Sequence, residues 1–270
     1  IIAARKRGKT MLSTPLAFNL VARDLQRSLE RTAQEPMTAR DIAYYEENIR
    51  NIRSIDDFMN DERIYRFALK AHGLEDMAYA KAFIRKALEE GTDDRDAFAN
   101  RLADKRYREL VETFNFKRYE SATTSFSRAQ SGTVEKFVRQ TLEVNQGAQN
   151  EGVRLALYFE RKAPTLENVY EILADPALLK VVQTALGLSP QTGGANIDRQ
   201  ADFIGSRLDI EDFKDPDALA KFLTRFTALY ELSNPTAPAS VPNILIGGPT
   251  PQGIGINLLT SIQSIKRGGF

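Results

Sequence analysis

The sequence predicts a mainly α-helical protein: a helical bundle with a weak internal duplication, followed by an irregular C-terminal arm rich in proline and glycine. Three observations predict this class. Apolar residues recur at helical spacing, with residues suited to helix starts and ends between the runs. The second half repeats the first at an offset of about 114 residues. From residue 234 to residue 255, five of the eleven prolines interrupt the helical pattern.

The duplication extends over residues 43–74 without a gap. Average composition predicts about two identities in a segment of this length, and the sequence has six. The identical pairs are Tyr44 and Tyr158, Glu46 and Glu160, Asp61 and Asp175, Ala71 and Ala185, Gly73 and Gly187, and Leu74 and Leu188. Apolar positions also coincide, which indicates that a packing pattern, rather than a reactive side chain, is repeated.

Capping-box spacing marks two helix starts in the first half. Thr38 precedes Asp41 by three residues, and Ser54 precedes Asp57 in the same way. Apolar stripes predict further helical segments over residues 75–90, 95–104 and 105–114, and one long helix over residues 134–162. Glycines at positions 147 and 152 can kink or split that long helix.

One helix has the same start and end signals in both halves. Asp61 precedes an apolar stripe that ends at Gly73, a residue that tolerates the left-handed backbone found at many helix ends. Asp175 and Gly187 hold these positions in the second half, with Pro176 at the first helical position. We therefore expect the two glycines to lie at equivalent helix ends.

These signals divide the chain into five segments. Residues 1–10, with four basic side chains before Met11, are expected to be an added or misassigned leader. The others are the first helical repeat (11–120), a linker rich in serine and threonine (121–133), the second helical repeat (134–233) and the C-terminal arm (234–270). Because adjacent repeats commonly pack together, we expect the two to share one core.

Composition excludes several classes of site. The chain has no cysteine, which excludes disulfides, thiolate metal sites and cysteine nucleophiles. His72 is the only histidine, so histidine-rich metal sites are excluded as well. An imidazolium there would interact favourably with the end of its helix. Its counterpart in the second half is Leu186, and we interpret the position as structural.

Two further patterns are similar to ligand-binding motifs, but we interpret both as structural. Asp93, Asp94 and Asp96 lack the glycine and final glutamate of a calcium loop, and we interpret them as a solvated helix start. Aromatic and basic residues alternate over residues 114–119, as in surfaces that stack single-stranded nucleic acid. Residues 11–270 carry 33 basic and 36 acidic side chains, so we favour a helix end with buried rings.

Three segments resemble a family of bacterial proteins of unknown function that are encoded among flagellar genes. They are SIDDFMND from residue 54, ALKAHGLEDMAYAKAF from residue 68 and NEGVRLALYFERKA from residue 150. The resemblance covers residues 12–232 and the arm, and it contains no catalytic residues to carry over. It implies a flagellum-associated role in assembly, export or the axial structure.

We therefore expect a non-enzymatic structural, assembly or export adaptor, cytoplasmic or flagellum-associated, that binds a protein partner. No catalytic, metal or cofactor residue is assigned, and neither nucleic-acid binding, membrane insertion nor a general secretion signal is expected. The candidate partner-binding residues are the apolar ones near the C-terminus: Ile256, Leu258, Leu259, Ile262 and Ile265. Two alternatives stay open: an enzyme with carboxylate, arginine and tyrosine side chains in a cleft between the repeats, and an anion- or nucleic-acid-binding protein.

Overall fold

The computed structural model describes residues 12–188 and 196–236. Within these ranges the chain forms a helical bundle without β-strands, which confirms the predicted class. The α-helices are α1 (Thr14–Ala22), α2 (Leu25–Gln34), α3 (Pro36–Asn48), α4 (Ile55–Asn60), α5 (Glu62–Ala71), α6 (Lys81–Glu90), α7 (Phe98–Arg101), α8 (Lys105–Thr113), α9 (Phe116–Tyr119), α10 (Ser131–Gly147), α11 (Glu151–Lys162), α12 (Val169–Ala174), α13 (Pro176–Leu186), α14 (Ile197–Gly205) and α15 (Pro216–Ser233). Short 3-10 turns cover Ile49–Asn51, Glu75–Met77, Glu120–Ser125, Ala163–Thr165 and Glu211–Lys214.

The duplication is visible in the order and ends of the helices. Helices α3, α4 and α5 correspond to α11, α12 and α13, and a 3-10 turn follows both α3 and α11. At the offset of 114 residues, α4 and α12 begin and end at equivalent positions, as do the 3-10 turns Ile49–Asn51 and Ala163–Thr165. The pattern read from six identities is therefore a repeated arrangement of helices.

The same polar contacts hold the ends of the repeated helices. The hydroxyl of Tyr44 donates a hydrogen bond to the carboxylate of Asp61 at 2.9 Å, and Tyr158 donates to Asp175 at 2.5 Å. Each aspartate also accepts hydrogen bonds from two backbone N–H groups of the helix that it caps. Ser54 caps α4 in a complete capping box, and Asn168 caps α12 at the equivalent position.

Gly73 and Gly187 lie at equivalent helix ends, as expected. Their φ angles are +70° and +68°, in the left-handed region that favours glycine. The following residue closes the turn in both halves, with a backbone hydrogen bond of 2.8 Å from Leu74 to Leu69 and from Leu188 to Gln183. This is the Schellman ending, in which the last carbonyls of the helix find partners.

Replacing either glycine by alanine is expected to lower the free energy of unfolding by about 1 kcal/mol, because alanine resists positive φ. A Cβ at Gly187 would meet no atom within 4 Å, and one at Gly73 would make ordinary contacts with Arg106. The two losses, measured by urea unfolding, should therefore be similar. Gly187→Asn should lose less, since asparagine adopts this conformation more readily. Full stability of both alanine variants would contradict the assignment.

Several helix boundaries differ from the sequence expectation; the segment 95–104, for example, is helical only over α7. Helix α3 begins at Pro36, so Thr38 is a buried residue inside the helix and does not cap it. Proline sets the backbone angle for a first turn, which moves the start upstream. The segment 75–90 is a 3-10 turn followed by α6. The long helix over 134–162 is split after Gly147, one of the two glycines at which the sequence allowed a split. Asn150 accepts a hydrogen bond from the backbone of Val153 and so starts α11 anew.

The buried apolar side chains form two clusters. The first contains residues of α3 to α9 and the beginning of α10, with Phe67 stacked between Tyr45 and Phe137 at centroid distances of 4.2 and 3.8 Å. The second contains residues of α11 to α15 together with Phe18 and Val21 of α1. The N-terminal helix therefore packs with the second repeat, and α10 contributes to both clusters.

Candidate functional site

The partner-binding residues expected from the sequence lie outside the described residues. These are Ile256, Leu258, Leu259, Ile262 and Ile265; the leader 1–10 and arm residues 237–270 are outside as well. Thr236, the last described residue before the arm, lies just beyond the end of α15. There, the end of α15 lies against the start of α1.

A row of exposed leucines follows the outer side of α1. Leu12, Leu16 and Leu20 are 44%, 50% and 57% exposed, whereas Phe18 and Val21 of the same helix are buried in the second cluster. Leu16 and Leu20 lie four positions apart in α1 and so share one side of the helix. Leu12 is exposed two residues before the helix begins, and the three together are here called the leucine row. Helix α1 is thus apolar on two sides, and the body covers only one of them.

Glu231 fixes this end of the body. Its carboxylate accepts hydrogen bonds from the backbone N–H and the hydroxyl of Thr14, both at 2.7 Å. It also accepts from the backbone N–H of Thr236 at 2.9 Å and from the Thr236 hydroxyl. Asn150, which caps α11, donates to the Thr14 hydroxyl at 2.9 Å. The Glu231 carboxylate therefore holds Thr14 of α1 and Thr236, which precedes the arm, and Thr14 in turn contacts the start of α11.

These hydrogen bonds control the ionisation of Glu231. Partial burial raises the pKa of this carboxyl, but the hydrogen bonds from Thr236 and Thr14 outweigh it and lower the pKa from 4.5 to about 2. The folded state therefore holds the charged form more strongly than the unfolded chain does. The resulting stability is fully present above pH 4.5 and is lost as the pH falls towards 2.

Glu231→Gln is expected to lower the free energy of unfolding at pH 7 by about 1–2 kcal/mol, since it removes charge-assisted hydrogen bonds that solvent partly screens. The difference between variant and wild type should shrink as the pH falls from 5 to 2. Urea unfolding at several pH values measures it. A difference that stays constant over this range would show that the charge of Glu231 contributes nothing.

A buried ion network joins α10 and α11. The carboxylate of Glu143, 1% exposed, accepts two hydrogen bonds of 2.8 Å from Arg161 and one of 3.0 Å from Arg139. Arg139 also donates to the backbone oxygen of Leu157 at 2.8 Å and to the carboxylate of Glu160 at 3.1 Å. Each buried charge is thus compensated within the network, as buried charges must be.

The same polar layer continues to His72. Glu109 of α8 pairs with Lys162 of α11, and Lys136 approaches the Nε2 atom of His72 at 3.3 Å. Burial and the charge of Lys136 lower the pKa of His72 to about 4, so the ring is neutral at pH 7. With its proton on Nδ1, the ring donates to the Ala68 oxygen at 2.8 Å. Burial therefore outweighs the favourable interaction that an imidazolium would have with this helix end.

The structure also shows the surroundings of the acidic residues 93–96 and of the aromatic and basic residues 114–119. Asp94 accepts a hydrogen bond from the backbone of Asp96, and Asp93 pairs with Arg118 at 3.2 Å. Phe114 and Phe116 are buried in the first cluster. Within the described ranges, no group of three or more acidic or histidine side chains could hold a metal ion. No helix in these ranges is both long and apolar enough to cross a membrane.

Neither the leucine row nor the role of Glu231 was predicted from the sequence. The spacing of Leu12, Leu16 and Leu20 carried a signal for the row, since leucines four positions apart share a helix face. The role of Glu231 had no such signal, because its partner Thr14 is distant in the chain.

Comparison with known proteins places this fold in a family. Residues 71–219 match the family described as "Protein of unknown function (DUF1217)". The crystal structure of protein AGR_C_984 from Agrobacterium tumefaciens is 46% identical, with a TM-score of 0.76, and the match covers 86% of this chain and 100% of that one. No curated protein matches the chain. With more than half of its 270 residues matched, the chain belongs to the DUF1217 family.

Proposed function

We propose that this protein is a non-enzymatic adaptor of the bacterial flagellum that acts in structure, assembly or export. It binds a flagellar protein through the leucine row of α1 and the apolar residues of the C-terminal arm. The observation that carries the proposal is the exposed leucine row, on the helix whose first residue, Thr14, binds the same carboxylate as Thr236. The flagellar assignment is supported by the resemblance of the three segments described above to a family encoded among flagellar genes.

The shape of the row indicates the kind of partner. Leu16 and Leu20 are four residues apart in α1, which corresponds to about 6 Å along the helix, and Leu12 is exposed just before the helix begins. A stripe of this width and length suits one amphipathic helix of a partner, whose apolar residues would lie between the leucines. Leu232, 79% exposed and next to Glu231, adds apolar surface at the same end of the body.

Affinity capture from motile cells tests the proposal with three tagged proteins. They are the full chain, the chain ending at Thr236, and the full chain with Leu16→Asp and Leu20→Asp. The full chain should recover a flagellar export or axial component. Each of the other two proteins should recover at most about one tenth of that amount. The cut follows Thr236 because this residue donates two hydrogen bonds to Glu231 and belongs to the body.

Tyr79→Asp is the matched control, because Tyr79 is 82% exposed and lies outside the leucine row. It should recover as much of the flagellar component as the full chain does. Circular dichroism should show the same helix content in all variants. Recovery that is unaffected by the leucine substitutions would contradict the assigned surface, and loss of helix content on truncation would contradict the separation of arm and body.

A further inference from the structure

A surface cluster of arginine and aromatic side chains lies at the end of the first repeat. It consists of Arg118, Tyr119, Phe126 and Arg128, here called the Arg128 cluster. The rings of Tyr119 and Phe126 meet edge to face, with centroids 4.9 Å apart and an interplanar angle of 67°. The guanidinium of Arg128 lies 4.7 Å from both centroids. Phe126 and Arg128 are exposed to solvent.

The charge of Arg128 is not compensated by the body. Arg118 pairs with Asp93 at 3.2 Å, whereas Arg128 has no carboxylate within 4.0 Å among the described residues. Its contacts are with ring faces, and a stacked guanidinium keeps the N–H groups at its edge available for a planar acceptor. A carboxylate is such an acceptor, and it can take two parallel hydrogen bonds.

The backbone beside the cluster is strained. Glu120 has φ +46° and ψ −129°, and in the described ranges it is the sole residue other than glycine with positive φ. The Thr123 hydroxyl donates to its carbonyl oxygen at 2.8 Å and helps to hold this conformation. Strained backbone of this kind persists mainly where function requires it. It sets the direction of the chain between Tyr119 and the turn that leads to Phe126.

We propose that the Arg128 cluster binds an acidic segment of a protein partner. A glutamate or aspartate of that segment pairs with the edge of Arg128, and a neighbouring apolar side chain packs on Phe126. Arginine and aromatic residues are the types that dominate binding energy at protein interfaces. This second surface is independent of the leucine row, because its residues lie next to the first hydrophobic cluster, whereas α1 packs in the second.

The observations favour a protein segment over nucleic acid. The two rings are not parallel, and Arg128 covers a face of each, so they offer no pair of open faces for successive bases. Phe114 and Phe116, which would have extended a stacking surface, are buried.

Fluorescence anisotropy with a labelled probe tests the proposal. The probe is a hexapeptide of alternating glutamate and phenylalanine, and its comparison peptide carries lysine in place of glutamate. The full chain should bind the glutamate peptide at least about tenfold more tightly than the lysine peptide. Arg128→Gln should weaken the binding of the glutamate peptide about tenfold. Arg128→Lys should recover only part of it, because lysine keeps the charge but lacks the planar fork.

Arg225→Gln is the control, since it removes an exposed arginine of α15 and should leave the affinity for the glutamate peptide unchanged. Equal binding of the two peptides, or equal loss in Arg225→Gln and Arg128→Gln, would overturn the proposal. Tighter binding of an unlabelled oligothymidine competitor than of the peptide would overturn it in favour of nucleic acid. Both positions are exposed, so both variants are expected to fold.

Discussion

Glu143→Gln is expected to lower the free energy of unfolding by about 3 kcal/mol, because breaking a buried ion pair leaves its partner charge uncompensated. The variant has nearly the same shape, but it removes the only carboxylate within 4.0 Å of Arg161 among the described residues and one of the two carboxylates that pair with Arg139. Glu143 is 1% exposed, so water cannot replace the lost charge. Urea unfolding followed by circular dichroism measures the loss.

Glu112→Gln provides the matched control. Glu112 pairs with Arg108 one helical turn away, at 2.8 Å, and both side chains are about half exposed. An exposed pair of this kind contributes about 0.5 kcal/mol or less. If the two variants lose equal stability, the network of α10 and α11 is no more important to the fold than a surface ion pair.

Gly152→Ala is expected to lower the free energy of unfolding by about 2 kcal/mol, because the added methyl group has no space. A Cβ at this position would lie 2.5 Å from a ring carbon of Tyr230 and 2.7 Å from the methyl group of Thr14. Gly152 is thus the point where α11 lies closest to both α1 and α15. The loss should appear as a lower midpoint in urea unfolding, with little change in helix content at low urea.

Gly205→Ala tests the same substitution where space exists. The nearest atom to a Cβ there, a methyl carbon of Val169, is 3.7 Å away, which is ordinary contact. Alanine favours helix over glycine, so this variant should be as stable as the wild type or slightly more stable. Equal stability of Gly152→Ala and the wild type would show that α1, α11 and α15 do not approach each other as closely as described.

The local elements of this fold were the easiest to predict from the sequence. Capping depends on residues near in the chain, so Ser54, Asp61 and Asp175 were recognised as helix starts, and Gly73 and Gly187 as helix ends. Thr38 was assigned wrongly because two start signals compete there, and Pro36 sets the backbone of the first turn. Sequence pattern alone ranks such competing signals poorly.

Contacts between distant residues could not be predicted. The ion pair of Glu143 with Arg161 and the hydrogen bond from Thr14 to Glu231 depend on how the helices pack. A single sequence does not indicate which distant residues become partners. The exposure of the outer face of α1 could not be predicted for a related reason. This helix is apolar on two sides, so its pattern does not tell which side the core covers.

Site-specific photocrosslinking in motile cells tests the central claim, that the leucine row of α1 binds a flagellar protein, most directly. A photoreactive amino acid is placed at Leu16 in one strain and at Tyr79 in another, both of them exposed positions. The account predicts a crosslink from position 16 to a flagellar export or axial component, and none to that component from position 79. The same crosslinks from both positions, or none from position 16, would contradict it.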